Sequence, residues 1–169
     1  SGSRLERAVI VKFTYLYDGA RVIEETSLLT DCDLFHVWGL GIDEELAFWT
    51  ATNGSGSQGY WTWPLANVQG NVAALTDASA AITQRFEYDL FGTFSAYRHA
   101  GTDGLWFTSD DALTLGPDSS PGTADDGTTP SVCAVYFFQG REFDASIGLY
   151  FFRARHYSAV LGRFIQRDP

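Results

Sequence analysis

Residues 138–169 read FQGREFDASIGLYFFRARHYSAVLGRFIQRDP, and the fold is decided by the way this stretch repeats itself. FDASIGLY (143–150) and YSAVLGRF (157–164) superpose as an aromatic, small or acidic turn residues, a Gly, and a pair ending in an aromatic. Aromatic-Asp pairs followed by Gly recur upstream, at Tyr17-Asp18-Gly19 and at Tyr88-Asp89-Leu90-Phe91-Gly92. A unit this short cannot bury its own apolar face, so repeats of it point to stacked hairpins.

Working outward, residues 82–88 alternate with period two. Thr83, Arg85 and Glu87 face one way and Ile82, Phe86 and Tyr88 the other, which reads as a half-buried strand. Its partner is residues 71–76, joined through Asp77-Ala78-Ser79-Ala80, whose Asp and Ser suit a tight reversal. A second hairpin brackets Asp18-Gly19, with residues 9–17 on one side and 20–25 on the other. Residues 34–38, 46–50, 60–63, 135–138, 149–155 and 161–166 read as further strands, with a flexible connection at 53–59; no segment has a helical pattern. The fold class expected is all-β, successive antiparallel hairpins in a curled sheet. Such a sheet must curl or be capped, because open edges invite self-association.

The wording of the C-terminal stretch resembles the core-associated region of the RHS/YD-repeat family, whose members carry a similar GLYYYRARYYDP...GRF...DP segment before a variable C-terminal region. The resemblance extends to residues 13–25, 37–49 and 64–92. It departs at Ala80, where the family usually has a turn Gly, and at Ser158-Ala159, which replaces Asp-Pro, so these two turns are expected to differ in type. The chain divides accordingly into a tag remnant (1–3), YD-repeat hairpins (4–99), an acidic Gly/Asp-rich insertion (100–131) and C-terminal core-associated hairpins (132–169). The resemblance implies a spiralling sheet that closes into a hollow shell, secreted or at the bacterial surface, around a toxin-like C-terminal cargo. This chain would be one part of that shell, and the rest of the shell and the cargo would be its partners.

Composition agrees with a β chain. Aromatics at 15% with 17 Gly and only 5 Pro favour many tight turns over a helical bundle. A chain of 169 residues is long enough for a real core. No apolar run approaches the roughly 18 residues of a spanning helix. The absence of Met and the leading Ser1-Gly2-Ser3 read as a piece taken from something longer. A formal charge of -10 argues against a nucleic-acid partner. The basic residues are unevenly placed, with none from 99 to 140 and Arg141, Arg153, Arg155, Arg163 and Arg167 crowding the end. Arginine suits carboxylate pairing and the covering of aromatic faces. Cys32 and Cys133 have no metal-like spacing; they form a disulfide if the chain is exported, or are two small buried side chains.

The insertion has its own repeat. Asp103, Thr108, Asp110 and Asp111 are spaced as Asp118, Thr123, Asp125 and Asp126, and six Asp within 24 residues have no basic neighbour in sequence. Two readings stand: a calcium site built from these six aspartates, or a solvated loop. The spacing is not that of an EF-hand.

His36, His99 and His156 belong to no metal or nucleophile signature, and no phosphate loop, dinucleotide fingerprint or nucleophile elbow occurs. The resemblance alone implies one chemistry, an aspartyl self-cleaving module. Asp168, in Arg167-Asp168-Pro169, matches its first aspartate and Arg153 its arginine, while the second aspartate is absent, so the chain as given is expected to be silent. The leading reading is therefore a containing wall, with Tyr15, Tyr17, Phe86, Tyr88, Phe143, Tyr150, Phe152 and Tyr157 as its repeated rings. Its rivals are the truncated autoprotease and a surface module that binds glycans or a partner through Trp38, Trp49, Trp61, Trp63 and Trp106.

Overall fold

The computed structural model describes residues 13–19, 21–27, 33–41, 43–52, 58–116, 124, 126–128 and 134–168. These residues are all-β. Nine strands form one antiparallel sheet in sequence order: β1 (Phe13–Asp18), β2 (Arg21–Ser27), β3 (Asp33–Trp38), β4 (Glu45–Ala51), β5 (Gly59–Ala66), β6 (Val72–Thr76), β7 (Ile82–Tyr88), β8 (Phe94–His99) and β9 (Ala112–Leu113). Each pairs only with its sequence neighbours, and the sheet does not close into a barrel. A second, four-stranded sheet follows: β10 (Glu142–Asp144), β11 (Leu149–Phe152), β12 (Arg155–Ser158) and β13 (Arg163–Phe164). Cys32 and Cys133 lie outside the described residues.

Three consecutive turns share one chemistry. Asn67, Asp77 and Asp89 each accept, on a side-chain oxygen, the backbone N–H groups two and four residues later. In each, the fourth residue has positive φ and donates its N–H to the first residue's carbonyl: Gly70 (80°), Ala80 (63°) and Gly92 (94°). The short acidic or amide side chain thus closes the turn from within, which is why Asx residues are favoured there. Ala80 makes the same turn as its glycine counterparts, against the expectation of a different type. It does so by accepting a left-handed backbone that costs an L-residue roughly 1–2 kcal/mol. At the second departure, Ser158 Oγ accepts the Leu161 N–H at 3.2 Å and Gly162 takes φ of 61°.

Strand reading from sequence was accurate in the middle of the chain, and β7 spans the expected residues. The C-terminal part differs. Residues 135–138 form no strand; Tyr136 makes an isolated bridge to Glu142, and Phe138–Gly140 is a 3-10 turn with Gln139 at φ 53°. What was expected to be one strand over 149–155 is two, because Arg153 at φ 59° reverses the chain between β11 and β12. The strand expected over 161–166 shrinks to Arg163–Phe164, and β8 and β10 are additional. The insertion is not wholly separate either, since Ala112–Leu113 adds β9 to the sheet.

The core lies between one face of β3–β8 and the C-terminal segment. Leu34, Phe48, Val72, Leu75, Phe86, Phe94 and Ala96 meet Phe137, Tyr150 and Ala159 there. Burial of apolar surface at about 25 cal/mol per Å² is the main stabilising effect. The opposite face of β7 was expected to be solvated, yet Arg85 is buried on it. Its guanidinium lies 3.7 Å from the Tyr97 ring centroid and 5.3 Å from that of Phe107, and its Nε donates to Asp111. The insertion is docked on the sheet through this arginine, which supplies the cation its aspartates lack in sequence.

Candidate functional site

The richest chemistry lies where the two sheets meet. Along that seam the rings of β7, β8 and the C-terminal segment touch continuously. Phe137 stacks on Phe94 at 5.1 Å and contacts Phe86 at 5.1 Å, Phe143 meets Phe94 at 5.2 Å and Tyr150 at 4.9 Å, and Phe138 stacks on Tyr157 at 6.2 Å. Tyr150 and Tyr157 donate their phenols to the carbonyls of Gly92 and Phe91, both at 2.9 Å. Six of the eight rings named from sequence belong here: Phe86, Tyr88, Phe143, Tyr150, Phe152 and Tyr157. Tyr15 and Tyr17 do not; they are exposed on β1.

At the β2–β4 end the seam becomes polar. Strand register sets Leu34, His36 and Trp38 on the face turned to the C-terminal segment, and there the His36 side chain is only 1% exposed. Its Nδ1 lies 2.5 Å from Glu45 Oε1 and its Nε2 3.2 Å from Glu25 Oε1. Tyr136 packs edge-on against His36 at 5.3 Å and against Trp38 at 5.1 Å. Burial alone would lower the His36 pKa, but the adjoining carboxylates of Glu25 and Glu45, the latter hydrogen-bonded to Nδ1, outweigh it and raise it to about 9. Burial pushes Glu45 up in spite of its histidine partner. Glu142, on the strand that follows Tyr136, is raised to about 7 by burial and then by the charges of Glu25 and Asp144, with His36 opposing. Sequence reading missed this cluster because its members come from three hairpins and share no motif.

A small cleft of about 80 Å³ opens beside the cluster, lined by Arg21, Trp38, Asp43, Arg141, Glu142 and Arg153 among others. Asp43 takes Arg141 on one oxygen at 2.7 Å and Arg153 on the other at 2.8 Å. Arg21 donates to the carbonyls of Gly39 and Gly41, both at 2.9 Å. Asp43 and Arg153 both have left-handed backbones. A larger cleft of about 590 Å³ lies at the other end of the seam, lined by amides and rings such as Asn67, Gln69, Asn71, Tyr88 and Gln139. The perturbed acids and the imidazole adjoin the smaller cleft, so the chemistry is concentrated there.

The remaining residues singled out from sequence are dispersed. Arg153 and Asp168 are not together: Arg153 is held by Asp43, and Asp168, 79% exposed, pairs with Arg155. Other arginines cover rings, Arg141 over Phe152 and Arg155 over Phe164. In the insertion, Asp110 accepts from the Thr102 and Thr108 hydroxyls at 2.9 and 2.8 Å, and these bonds hold its carboxyl down to about 2. Asp103 accepts the Leu105 N–H, Asp126 accepts that of Gly116, and Asp118 and Asp125 lie outside the described residues. Among the described residues no group of three His, Cys, Asp or Glu converges as metal ligands. His99 is exposed, and His156 packs on Phe151 at 5.5 Å beside Gln166.

The tryptophans divide. Trp38 is half-buried, with Nε1 donating to the Val22 carbonyl at 2.6 Å, and Trp106 is half-buried in the insertion. Trp49, Trp61 and Trp63 form a ladder on the other face of β4 and β5, with ring centroids 5.5 and 6.5 Å apart. Compared with known proteins, the chain matches no family model and no curated protein.

Proposed function

We propose that the chain is a wall segment of an RHS-type shell, secreted or at the bacterial surface, and that its work is to enclose or present a C-terminal, toxin-like polypeptide. The observation that carries this reading is the uninterrupted meander: nine strands follow one another in order with no crossover and no closure. A sheet so built can be extended by further hairpins at its ends, as a spiral wall requires. One face is lined by rings, and the C-terminal segment is already laid along it. That segment would lead the chain towards the enclosed space. Containment of this kind is steric and asks no catalytic group of the wall.

The test is protection. In the longer protein that the reading requires, a protease added to the folded molecule should leave the polypeptide downstream of Pro169 intact and should degrade it once the wall is unfolded. Digestion of that polypeptide at the same rate in both states would remove the containment reading.

A further inference from the structure

The seam is apolar for most of its length, and its charged end, at β2–β4, sets two carboxylates against one imidazole. His36 offers a single positive charge to two buried carboxylates, Glu25 and Glu45, one on each ring nitrogen. Glu142 enters the same surroundings from β10, paired across the sheet with Phe151 and bridged to Tyr136. The groups facing this end are thus Glu25 from β2, His36 from β3, Glu45 from β4, Tyr15 from β1, Tyr136 from the bridge and Asp144 from β10 itself. The nearby cations have other partners: Arg141 and Arg153 pair with Asp43 through their terminal nitrogens, which leaves the buried Arg141 Nε without a hydrogen bond, and Arg21 donates to the carbonyls of Gly39 and Gly41. Glu142 is half-buried and makes no ion pair among the described residues, so ionising it there is costly.

Glu142 also sits at a mechanically important point. The segment it closes carries Tyr136 onto His36 and Trp38, and Phe137 and Phe138 into the ring seam. It is tied to the large sheet by two hydrogen bonds, Val72 N–H to the Phe137 carbonyl at 3.1 Å and Gln139 N–H to Asn71 Oδ1 at 2.9 Å. We infer that residues 134–144 are a proton-controlled strap, closed over the Glu25–His36–Glu45 cluster while Glu142 is neutral and loosened when Glu142 ionises. The strap leads into the four-stranded sheet, so its release leaves the Arg153–Asp43 pair as a tie between that sheet and the β2–β4 end. This holds whether or not the chain belongs to a shell.

The direction follows from linkage. The folded state holds the Glu142 proton up to about pH 7, whereas the unfolded chain gives it up near the ordinary glutamate value of 4.5. Stability from this group therefore falls as pH rises from 4.5 to 7 and stays lost above that. The strap is tight in mild acid and loose at neutral pH and above.

Carbon-13 NMR of glutamate-labelled protein would follow the carboxyls, with Glu142→Gln assigning the signal. A midpoint near neutrality is expected; one near 4.5 overturns the inference. Amide hydrogen exchange, corrected for its intrinsic pH dependence, would follow the strap. Between pH 5.5 and 8 the protection of Phe137, Arg141 and Phe143 should drop about tenfold or more in the wild type while β6 and β7 hold. In Glu142→Gln the drop should vanish. An equal drop in both proteins, or one spread evenly over all strands of the wild type, would contradict the strap, and the second comparison needs no variant to fold.

Discussion

Tyr150 donates its phenolic hydrogen to the carbonyl of Gly92, 2.9 Å away and 58 residues earlier, and both residues are buried. The bond ties the C-terminal sheet to the turn between β7 and β8. Tyr150→Phe keeps the ring and leaves that carbonyl without its phenol donor, which costs about 1–3 kcal/mol when the acceptor stays dry. Urea unfolding should show a lower midpoint with an unchanged slope. An unaltered midpoint would mean that water replaces the hydroxyl and that the tie is incidental.

The shared turn chemistry separates two glycine positions. At Gly92, φ is 94° and an added Cβ would meet the Phe138 ring at 2.6 Å, so Gly92→Ala is strained and crowded at once. At Ala80 the turn is exposed and φ is 63°. Ala80→Gly relieves roughly 1 kcal/mol of left-handed strain, partly offset by the freedom glycine gains when unfolded. Thermal melts should rank Gly92→Ala well below wild type and Ala80→Gly level with it or slightly above. The reverse order would show that the two turns are not equivalent.

Much of the sheet was legible because period-two alternation and Asx turns are local. β7 and its turn to β6 could be read from residues 71–88 alone, and their observed bounds agree within a residue. The failures have tertiary causes. Arg85 has the alternation of a solvent-facing residue, yet Tyr97 of β8 lies against its guanidinium and Phe107 and Asp111 come back over it from the insertion. Residues 135–138 are apolar enough for a strand, but Phe137 and Phe138 are spent on the ring seam, so the backbone turns there. Arg153 sits in a continuous aromatic run that hides a reversal. The histidine cluster had no local sign, since Glu25, His36 and Glu45 look like ordinary strand residues until the register aligns them.

Calcium gives the insertion a direct test. Asp111 is held by Arg85 and by the Phe107 N–H, which together overcome burial and keep its carboxyl below the usual range. Asp110 is engaged by two threonine hydroxyls. With these carboxylates already served, the melting midpoint should be the same in calcium and in chelator. A rise with calcium would show that the cation displaces the internal partners, and Arg85→Met should then enlarge the rise.

His36 sets the alkaline side of the stability profile. Its folded-state value of about 9 lies above the ordinary 6.5, so its contribution is full below pH 6.5 and is lost as pH rises through 9. The shift corresponds to about 3 kcal/mol as an upper bound. Burial raises Glu45 as well, which makes the net smaller. On the acid side, the hydrogen-bonded Asp77, Asp89 and Asp110 are lowered, and their contribution disappears as pH falls below 3.8. Unfolding free energy measured from pH 3 to 10 should fall between 6.5 and 9 in the wild type, and this step should be absent in His36→Gln. A step that persists in the variant would assign it to another group.

The account rests on the meander being a length of wall. An electron cryo-microscopy map of the longer protein would test this most directly. The account predicts that β1–β9 continue into further hairpins of a curved shell, with the ring-lined face and the chain after Pro169 turned inward. A map in which these strands form a free-standing domain, with no hairpins added to the sheet and the downstream chain in solvent, would contradict it.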